Sequence, residues 1–482
     1  MAAIFRELKC KYSKLSKPKR ATLWITLSSF MLRGISFITL PIFTRLLSTD
    51  EYGSVSVYQS WESIFVYVVT LGIAYGGFNN GMVRYPDDRE GYTTSVMGLI
   101  CTMGLLWGTL TFVFPGVASS LLGMSDIYIV LMLVQVVASE VYDVWACRAR
   151  YDFEYRKVVA AAIILSIGVP ALGIPLVIFS DDKVFARIVA MVFVYVGIAI
   201  AVGSATLKRS KHFCSIEYWK FTICFNVPLL PHYLSQVVLN SSDRIMIGQM
   251  CSASDAGIYS IAYSAGMIMT VLTSSLSSTV MPWLYRQLEE KNYKRVGEVG
   301  LELLGFLAGV ILIMDVLAPD IVAILAPASY GEAMELVPVI AASVYYIFLY
   351  SFCSNIEFFY EETKIATVAS VLAAVLNVCL NFIFIPQYGY QAAGYTTLAC
   401  YLILAIAHYA SSQRITSLHA GKPVLDGKVV WLMASLLMGF SIIFSRLYRF
   451  PIARYCILIT MVVLCLIKRK ALANRIRDIK AS

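Results

Sequence analysis

Charge is scarce in this chain of 482 residues, of which only 14% are Asp, Glu, Lys or Arg; a soluble domain carries roughly a quarter. Long polar stretches are missing as well, so no segment between apolar runs is large enough to fold as a separate domain. The 11 cysteines stand singly and form no C-x-x-C pair or Cys/His cluster, which argues against a disulfide framework and a zinc site. No G-x-x-x-x-G-K occurs, so ATP hydrolysis is not indicated, and no H-E-x-x-H occurs, so neither is a zinc hydrolase. A paired catalytic Cys/His arrangement is absent too. No cofactor or resident metal is expected, and the chain does not read as an enzyme.

What is present is apolar. Hydrophobic residues make up 59% of the chain, with a mean hydropathy of +0.73. This much apolar surface does not fit inside a soluble core and points to a multi-pass membrane protein. Spans of about 20 residues fall at 21–46, 54–78, 93–115, 126–147, 157–179, 184–206, 219–242, 256–281, 298–318, 334–356, 363–385, 391–412, 428–446 and 451–467. The first follows a tail with seven Lys/Arg, is too long for a cleaved leader and lacks an A-x-A site, so it reads as an uncleaved signal anchor.

The basic residues test that count. With the N-terminus inside, inner segments hold 31 of the 39 Lys/Arg and outer segments seven, leaving Arg33 alone within a span. This positive-inside bias predicts about fourteen helices with both termini in the cytoplasm. Charges at Arg446, Arg449 and Arg454 make the last pair the weakest part of the assignment. The excess of nine positive charges is thereby explained as topology signal and contact with anionic lipid, not as a nucleic-acid surface.

An internal repeat organises the helices. "FMLRGISFITLPIFTRLL" (30–47) aligns without gaps on "LLPHYLSQVVLNSSDRIM" (229–246), and "EYGSVSVYQS" (51–60) on "DAGIYSIAYS" (255–264). The offset is six helices, an even number, so the copies enter the membrane in the same sense. The predicted fold is an all-α polytopic protein: two six-helix lobes in parallel pseudo-two-fold repeat, 1–206 and 207–413, followed by 414–482 with two extra C-terminal helices and a basic tail.

Polar groups within the spans are the candidate site residues. A guanidinium at mid-bilayer costs from about 3 to more than 10 kcal/mol. Arg33 lies 13 residues from Arg20 and 12 from Arg45, about 20 and 18 Å along a helix axis. Glu62, on the next span, reaches similar depth. The two either form a structural ion pair or present Arg33 to an anionic substrate, since its planar fork donates two parallel hydrogen bonds to a diphosphate. His232 occupies the position of Arg33 in the second copy and is either a second donor, a proton-coupling group or a packed polar residue. Asn226, Gln236 and Asn240 share its helix with Pro228 and Pro231; they either bind sugar hydroxyls or join helices. A broken, polar-lined helix suits a cavity or transport path. Glu140 and Asp143 share a helix face and are expected to pair with Arg148 and Arg150. Arg45, Asp243 and Arg244 are expected to form an outer gate or interfacial anchor.

The stretches "LNSSDRIMIGQMCSASDAGIYSIAYSAG" (239–266) and "SLSSTVMPWLYR" (275–286) carry a family resemblance, supported by "LPIFTRLLSTDEYG" (40–53) and "NxxxNFIFIPQYGYQAAGYTT" (377–397). They resemble the Wzx-type O-antigen and polysaccharide flippases of the multidrug/oligosaccharidyl-lipid/polysaccharide exporter superfamily, over essentially the whole chain. The resemblance implies a two-lobed, V-shaped alternating-access transporter of the bacterial cytoplasmic membrane. It further implies a substrate class, undecaprenyl-diphosphate-linked oligosaccharide, moved from the inner to the outer leaflet. Expected partners are that substrate, membrane lipids, a polysaccharide polymerase and a chain-length regulator. Coupling to Na⁺, H⁺ or the membrane potential stays open. Two rivals remain: a cation-coupled drug or metabolite antiporter of the same superfamily, whose cavity would be acidic and aromatic, and a membrane-bound polysaccharide polymerase, which would need a long outer loop.

Overall fold

The computed structural model describes residues 34–461, together with Trp24 and Val463. Among the described residues, regular structure is entirely helical. In chain order the helices are α1 Gly34–Leu46, α2 Thr49–Thr70, α3 Phe78–Arg84, α4 Arg89–Val113, α5 Val117–Leu122, α6 Asp126–Tyr151, α7 Tyr155–Phe179, α8 Lys183–Leu207 and α9 Ile216–Asn226. They continue as α10 Leu230–Met250, α11 Ala253–Gly266, α12 Met269–Glu289, α13 Tyr293–Leu325, α14 Ala333–Phe359, α15 Thr363–Tyr388, α16 Gln391–Ala420, α17 Gly427–Arg446 and α18 Pro451–Met461. Ten segments, with α11 and α12 taken as one, are long and apolar enough to cross a membrane. α1 and α18 are shorter apolar helices over their described residues. Adding α2, which carries three acids, and the α9–α10 pair, a helix occupies each of the fourteen sequence-predicted spans. Only helices satisfy their own backbone groups in hydrocarbon without closing a barrel, so a multi-pass membrane protein is necessarily built this way.

Capping residues set the starts. Ser48 and Glu51 form a reciprocal capping box at the head of α2, Asp88 accepts from Gly91 N–H at α4, and Asp182 accepts from Phe185 N–H at α8. Each satisfies an N–H that has no partner within its own helix.

Two spans depart from the sequence expectation, and a third breaks where its prolines predict. The predicted 54–78 helix starts earlier, at Thr49, and stops at Thr70, because Leu71 and Gly72 both take φ of 58° and turn the chain before α3. The 256–281 span is interrupted between α11 and α12 at Met267 and Ile268. The proline-bearing span near 219–242 divides, as its sequence suggests, into α9, a 3₁₀ turn at Val227–Leu229 and α10; proline removes a ladder hydrogen bond.

The chain packs as two compact units, one extending to Val237 and the other from Val238. Residues 207–237, which the repeat assigns to the second lobe, pack with the first unit. Trp219 Nε1 donates to Ser95 O at 2.7 Å, Ser215 N–H to Ser95 Oγ at 3.0 Å, and the Tyr92 and Thr222 hydroxyls are 3.2 Å apart. The two larger apolar clusters of unit 1 lie around Phe78, Tyr92, Val96 and Val202 and around Tyr58, Met132, Val136 and Ile188, and two smaller ones around Phe43 and Val177 and around Ala146 and Val158. In unit 2 the largest fully buried side chains among the described residues are Tyr259, Tyr330 and Tyr345.

The repeat is visible in matching side-chain geometry. Arg45 Nη1 donates to Pro41 O at 2.9 Å and Arg244 Nη1 to Asn240 O at 3.2 Å, each reaching the carbonyl four residues back. The helix pair α17–α18 is fastened to α13 by polar bonds. Ser441 Oγ donates to Asp315 Oδ2 at 2.6 Å, and Arg454 Nη1 reaches Asp320 Oδ2 at 2.6 Å and Val316 O at 3.0 Å. The pairing of Arg454 with Asp320 accounts for one of the positive charges that weakened the sequence assignment there.

Candidate transport site

Arg33, the residue from which the site was inferred, lies outside the described residues. The rest of the candidate set falls into two groups, one in each unit.

In unit 1 the acidic groups gather where α2 ends. Glu62 is half-buried on α2, within charge range of Asp143 and of the Tyr58 and Tyr195 hydroxyls. Tyr67, Tyr75, Glu140, Asp143, Cys147 and Arg150 line a cavity of about 240 Å³. The Tyr233 ring, from α10, lies 4.9 Å from that of Tyr75 and 6.2 Å from that of Tyr67. The site is thus acidic and aromatic on the side that is described.

Two expectations are corrected here. Glu140 does not pair with Arg148: its Oε1 accepts the Ala74 N–H at 2.8 Å, inside the turn after α2. Arg148 instead pairs with Glu90 at 3.2 Å and with Asp152. The turn exposes backbone donors that no helix satisfies, and a buried carboxylate is the strongest available acceptor. Asn226 is not placed to meet sugar: it is fully buried, accepting from Gly77 N–H at 3.0 Å and donating to Thr222 O at 2.8 Å. Asp143 does stand near Arg150, which is exposed and whose Nε donates to Ala146 O at 3.1 Å.

His232 and Gln236 are half-buried on the first turns of α10. The Nδ1 of His232 is out of solvent and has no hydrogen-bond partner among the described residues, while its ring lies 5.8 Å from that of Tyr233. A polar atom in that condition is a candidate for a partner that arrives with a ligand or another conformation.

In unit 2 the residues expected to form an outer gate or interfacial anchor do not pair with one another. Asp243 is fully buried and makes no salt bridge with Arg244. Its Oδ1 accepts from Asn381 Nδ2 at 2.7 Å, and its Oδ2 from the Tyr259 hydroxyl at 2.5 Å and the Thr397 hydroxyl at 2.7 Å. Asn377 joins through Thr397 and Ser242, and Thr396 bonds Asn381 Oδ1. A carboxylate buried without a cation is tolerable only when so fully hydrogen-bonded. Arg244 lies over the Tyr263 ring at 4.3 Å. Asn240, exposed, accepts from the Tyr263 and Tyr401 hydroxyls, both at 3.1 Å. Sequence reasoning quoted Asn377, Asn381, Thr396, Thr397 and Tyr259 within the family motifs but named none of them as a site residue. The signal was available in the i, i+4 spacing of Asn377 and Asn381, which puts both on one face of an apolar helix.

The sequence matches the family described as polysaccharide biosynthesis protein over residues 19–288, more than half of the chain, and the MatE family over residues 228–383. The chain belongs to the polysaccharide biosynthesis protein family. A protein of Haemophilus influenzae called Lsg locus putative protein 1 is 23% identical over 363 residues, 71% of this chain and 85% of that protein. Among solved structures, the lipid II flippase MurJ in an inward closed conformation resembles this family member with a TM-score of 0.68 at 12% identity, covering 94% of this chain and 99% of that one. A multidrug resistance MATE transporter of the MOP superfamily, inward-facing, has a TM-score of 0.62 at 11% identity and covers 83% of this chain and 99% of its own. This polysaccharide biosynthesis protein therefore has the fold of the MOP-superfamily transporters.

Proposed function

We propose that this protein flips an undecaprenyl-diphosphate-linked oligosaccharide, the repeat unit of an O-antigen, capsule or exopolysaccharide, from the inner to the outer leaflet of the bacterial cytoplasmic membrane. Both termini face the cytoplasm in this reading, and movement is by alternating access of the two repeats. The observation that carries it is the extent of the likeness: family membership in polysaccharide biosynthesis, together with a fold that follows a lipid flippase over 94% of the chain. Arg33 and His232 are the donors for the diphosphate, and Glu62 holds Arg33 when no substrate is bound.

A drug antiporter is the second reading, favoured by the acidic and aromatic cavity of unit 1. Against it stands Arg33, a permanent cation in the membrane. A polymerase is disfavoured by loop length: the longest connection between helices among the described residues is 208–215, too short to carry a catalytic domain.

For coupling, the Asp243 group offers one carboxylate, two hydroxyls and the side-chain oxygens of Asn377 and Asn381, with the Asn381 amide N–H donating to the carboxylate at 2.7 Å. Oxygen ligands suit a hard cation, and a single negative charge suits a monovalent one, so Na⁺ taking the place of the Asn381 N–H at the carboxylate is the proposed route for resetting the empty carrier. The membrane potential contributes in the same direction for an anionic cargo, roughly 2.3 kcal/mol per charge per 100 mV.

Complementation of a flippase-null strain tests the reading, with surface glycan as the readout. Wild type restores glycan, Arg33→Lys restores it partly and Arg33→Ala does not. Failure of the wild type across strains making several different repeat units overturns the flippase reading; full activity of Arg33→Ala overturns the diphosphate role of Arg33 alone.

A further inference from the structure

A second cavity in unit 1, about 1290 Å³ in volume, lies between α4, α6 and α8 and is lined almost wholly by apolar side chains. Its floor is opened by Gly108 on α4 and Gly203 on α8, whereas at Gly104 the helix α6 closes in, since a Cβ there would meet Val137 Cγ2 at 2.2 Å. A Cβ added at Gly108 would meet nothing within 4 Å. Its rims are large apolar side chains: Leu105 is 73% exposed, Phe112 84% and Ile200 66%. These make a channel rather than a flat face.

Two features describe what the channel fits. The first is length. On α4 the lining runs from Thr94 to beyond Thr111, about 26 Å along the axis, against a hydrocarbon core of about 30 Å. An acyl chain of a bilayer phospholipid occupies one leaflet, roughly half of that. The second is charge. Leu207 and Phe213 close one end, and the loop between them carries Lys208, Arg209 and Lys211. Arg209 is held by Glu90 at 3.2 Å, the same carboxylate that takes Arg148. Lys208 and Lys211 are exposed and form no ion pair among the described residues. Two exposed lysines in the loop that joins the closing residues of a membrane-deep apolar channel are complementary to a phosphate on a long hydrocarbon tail.

The geometry points to this channel as the binding site for the isoprenoid tail of a polyprenyl-phosphate lipid, with the phosphate at Lys208 and Lys211 when the lipid first docks. The inference rests on the flippase reading and adds the place where the tail is held. A tail lying along both leaflets stays in the same channel whichever side the headgroup occupies.

The test uses the full-length protein in detergent, a photoreactive undecaprenyl phosphate, and size-exclusion chromatography to follow fold and oligomeric state. In wild type, crosslinks map to α4 and α8, unlabelled undecaprenyl phosphate displaces the probe, and farnesyl phosphate and phosphatidylglycerol displace it at least about tenfold less well. Gly108→Leu, which fills the floor, and the pair Lys208→Gln/Lys211→Gln each weaken labelling by about tenfold or more. Crosslink mapping needs no variant and stands if Gly108→Leu does not fold. Equal displacement by phosphatidylglycerol makes the channel a site for ordinary bilayer lipid and overturns the proposal. So does a wild-type dimer that Gly108→Leu converts to monomer, since small residues also admit a neighbouring helix. Labelling elsewhere overturns the channel and leaves the flippase reading standing. Absence of any polyprenyl-phosphate binding overturns both.

Discussion

The side-chain oxygen of Asn226, on α9, accepts the backbone N–H of Gly77 at 3.0 Å, tying two segments 149 residues apart in sequence. A Cβ at Gly77 would come within 2.5 Å of Asn226 Nδ2, so the contact depends on the glycine as well as the amide. Asn226→Ala leaves a buried N–H unpaired and is expected to cost about 1–3 kcal/mol. Gly77→Ala acts on the same contact, so the double variant loses less than the sum of the two. Thermal unfolding of the purified protein measures all three.

Glu140 performs the same office for Ala74. Glu140→Gln keeps an acceptor oxygen of the same reach and retains most of the stability. Glu140→Leu orphans the donor and loses about 1–3 kcal/mol. Equal melting temperatures for the two variants would show that the bond to Ala74 contributes nothing.

Asp243→Asn removes the only charge of the unit 2 network while keeping its shape. It is expected to leave the protein folded and to abolish dependence of transport on Na⁺. A vesicle transport assay with and without a Na⁺ gradient measures this; unchanged Na⁺ dependence in the variant rejects the site as the coupling position.

His408 Nδ1 and Glu357 Oε2 meet at 2.8 Å in unit 2, the two side chains 2% and 0% exposed. Removing one partner of a buried hydrogen-bonded pair costs about 1–3 kcal/mol, and more for charged groups, whereas replacing both by apolar groups of similar shape is nearly neutral. Glu357→Leu alone is therefore expected to lower the melting temperature sharply, and Glu357→Leu with His408→Phe to recover most of the loss.

Much of the fold was legible because hydropathy and charge act locally. Span positions, the break near Pro228 and the six-helix repeat follow from residue type and spacing. The interruptions after Thr70 and Gly266 were not legible, since they depend on a positive φ at Leu71 and on Ile340, which a Cβ at Gly266 would meet at 2.6 Å. The site was legible in depth but not in direction. Sequence gives the distance of Glu140, Asn226 and Asp243 along a helix and marks all three as polar groups within apolar spans. It does not give which neighbour each faces, and each faces donors or acceptors inside its own unit. Asp243 illustrates the point: adjacency to Arg244 suggests a salt bridge, but successive helix residues point about 100° apart, and the arginine turns away to Asn240 O and Tyr263.

The attachment of α17 and α18 to α13 has a consequence for how the chain is handled. In sequence these helices look like an appendix to a twelve-helix body. In the structure, cutting the chain before Gly427 would strip Ser441 from Asp315, Tyr448 from the Asp315 carbonyl and Arg454 from Asp320. It would leave a buried carboxylate bare in the middle of a membrane helix. A truncated twelve-helix form is therefore a poor minimal version of this protein, and reporter fusions belong beyond the last helix rather than in place of it.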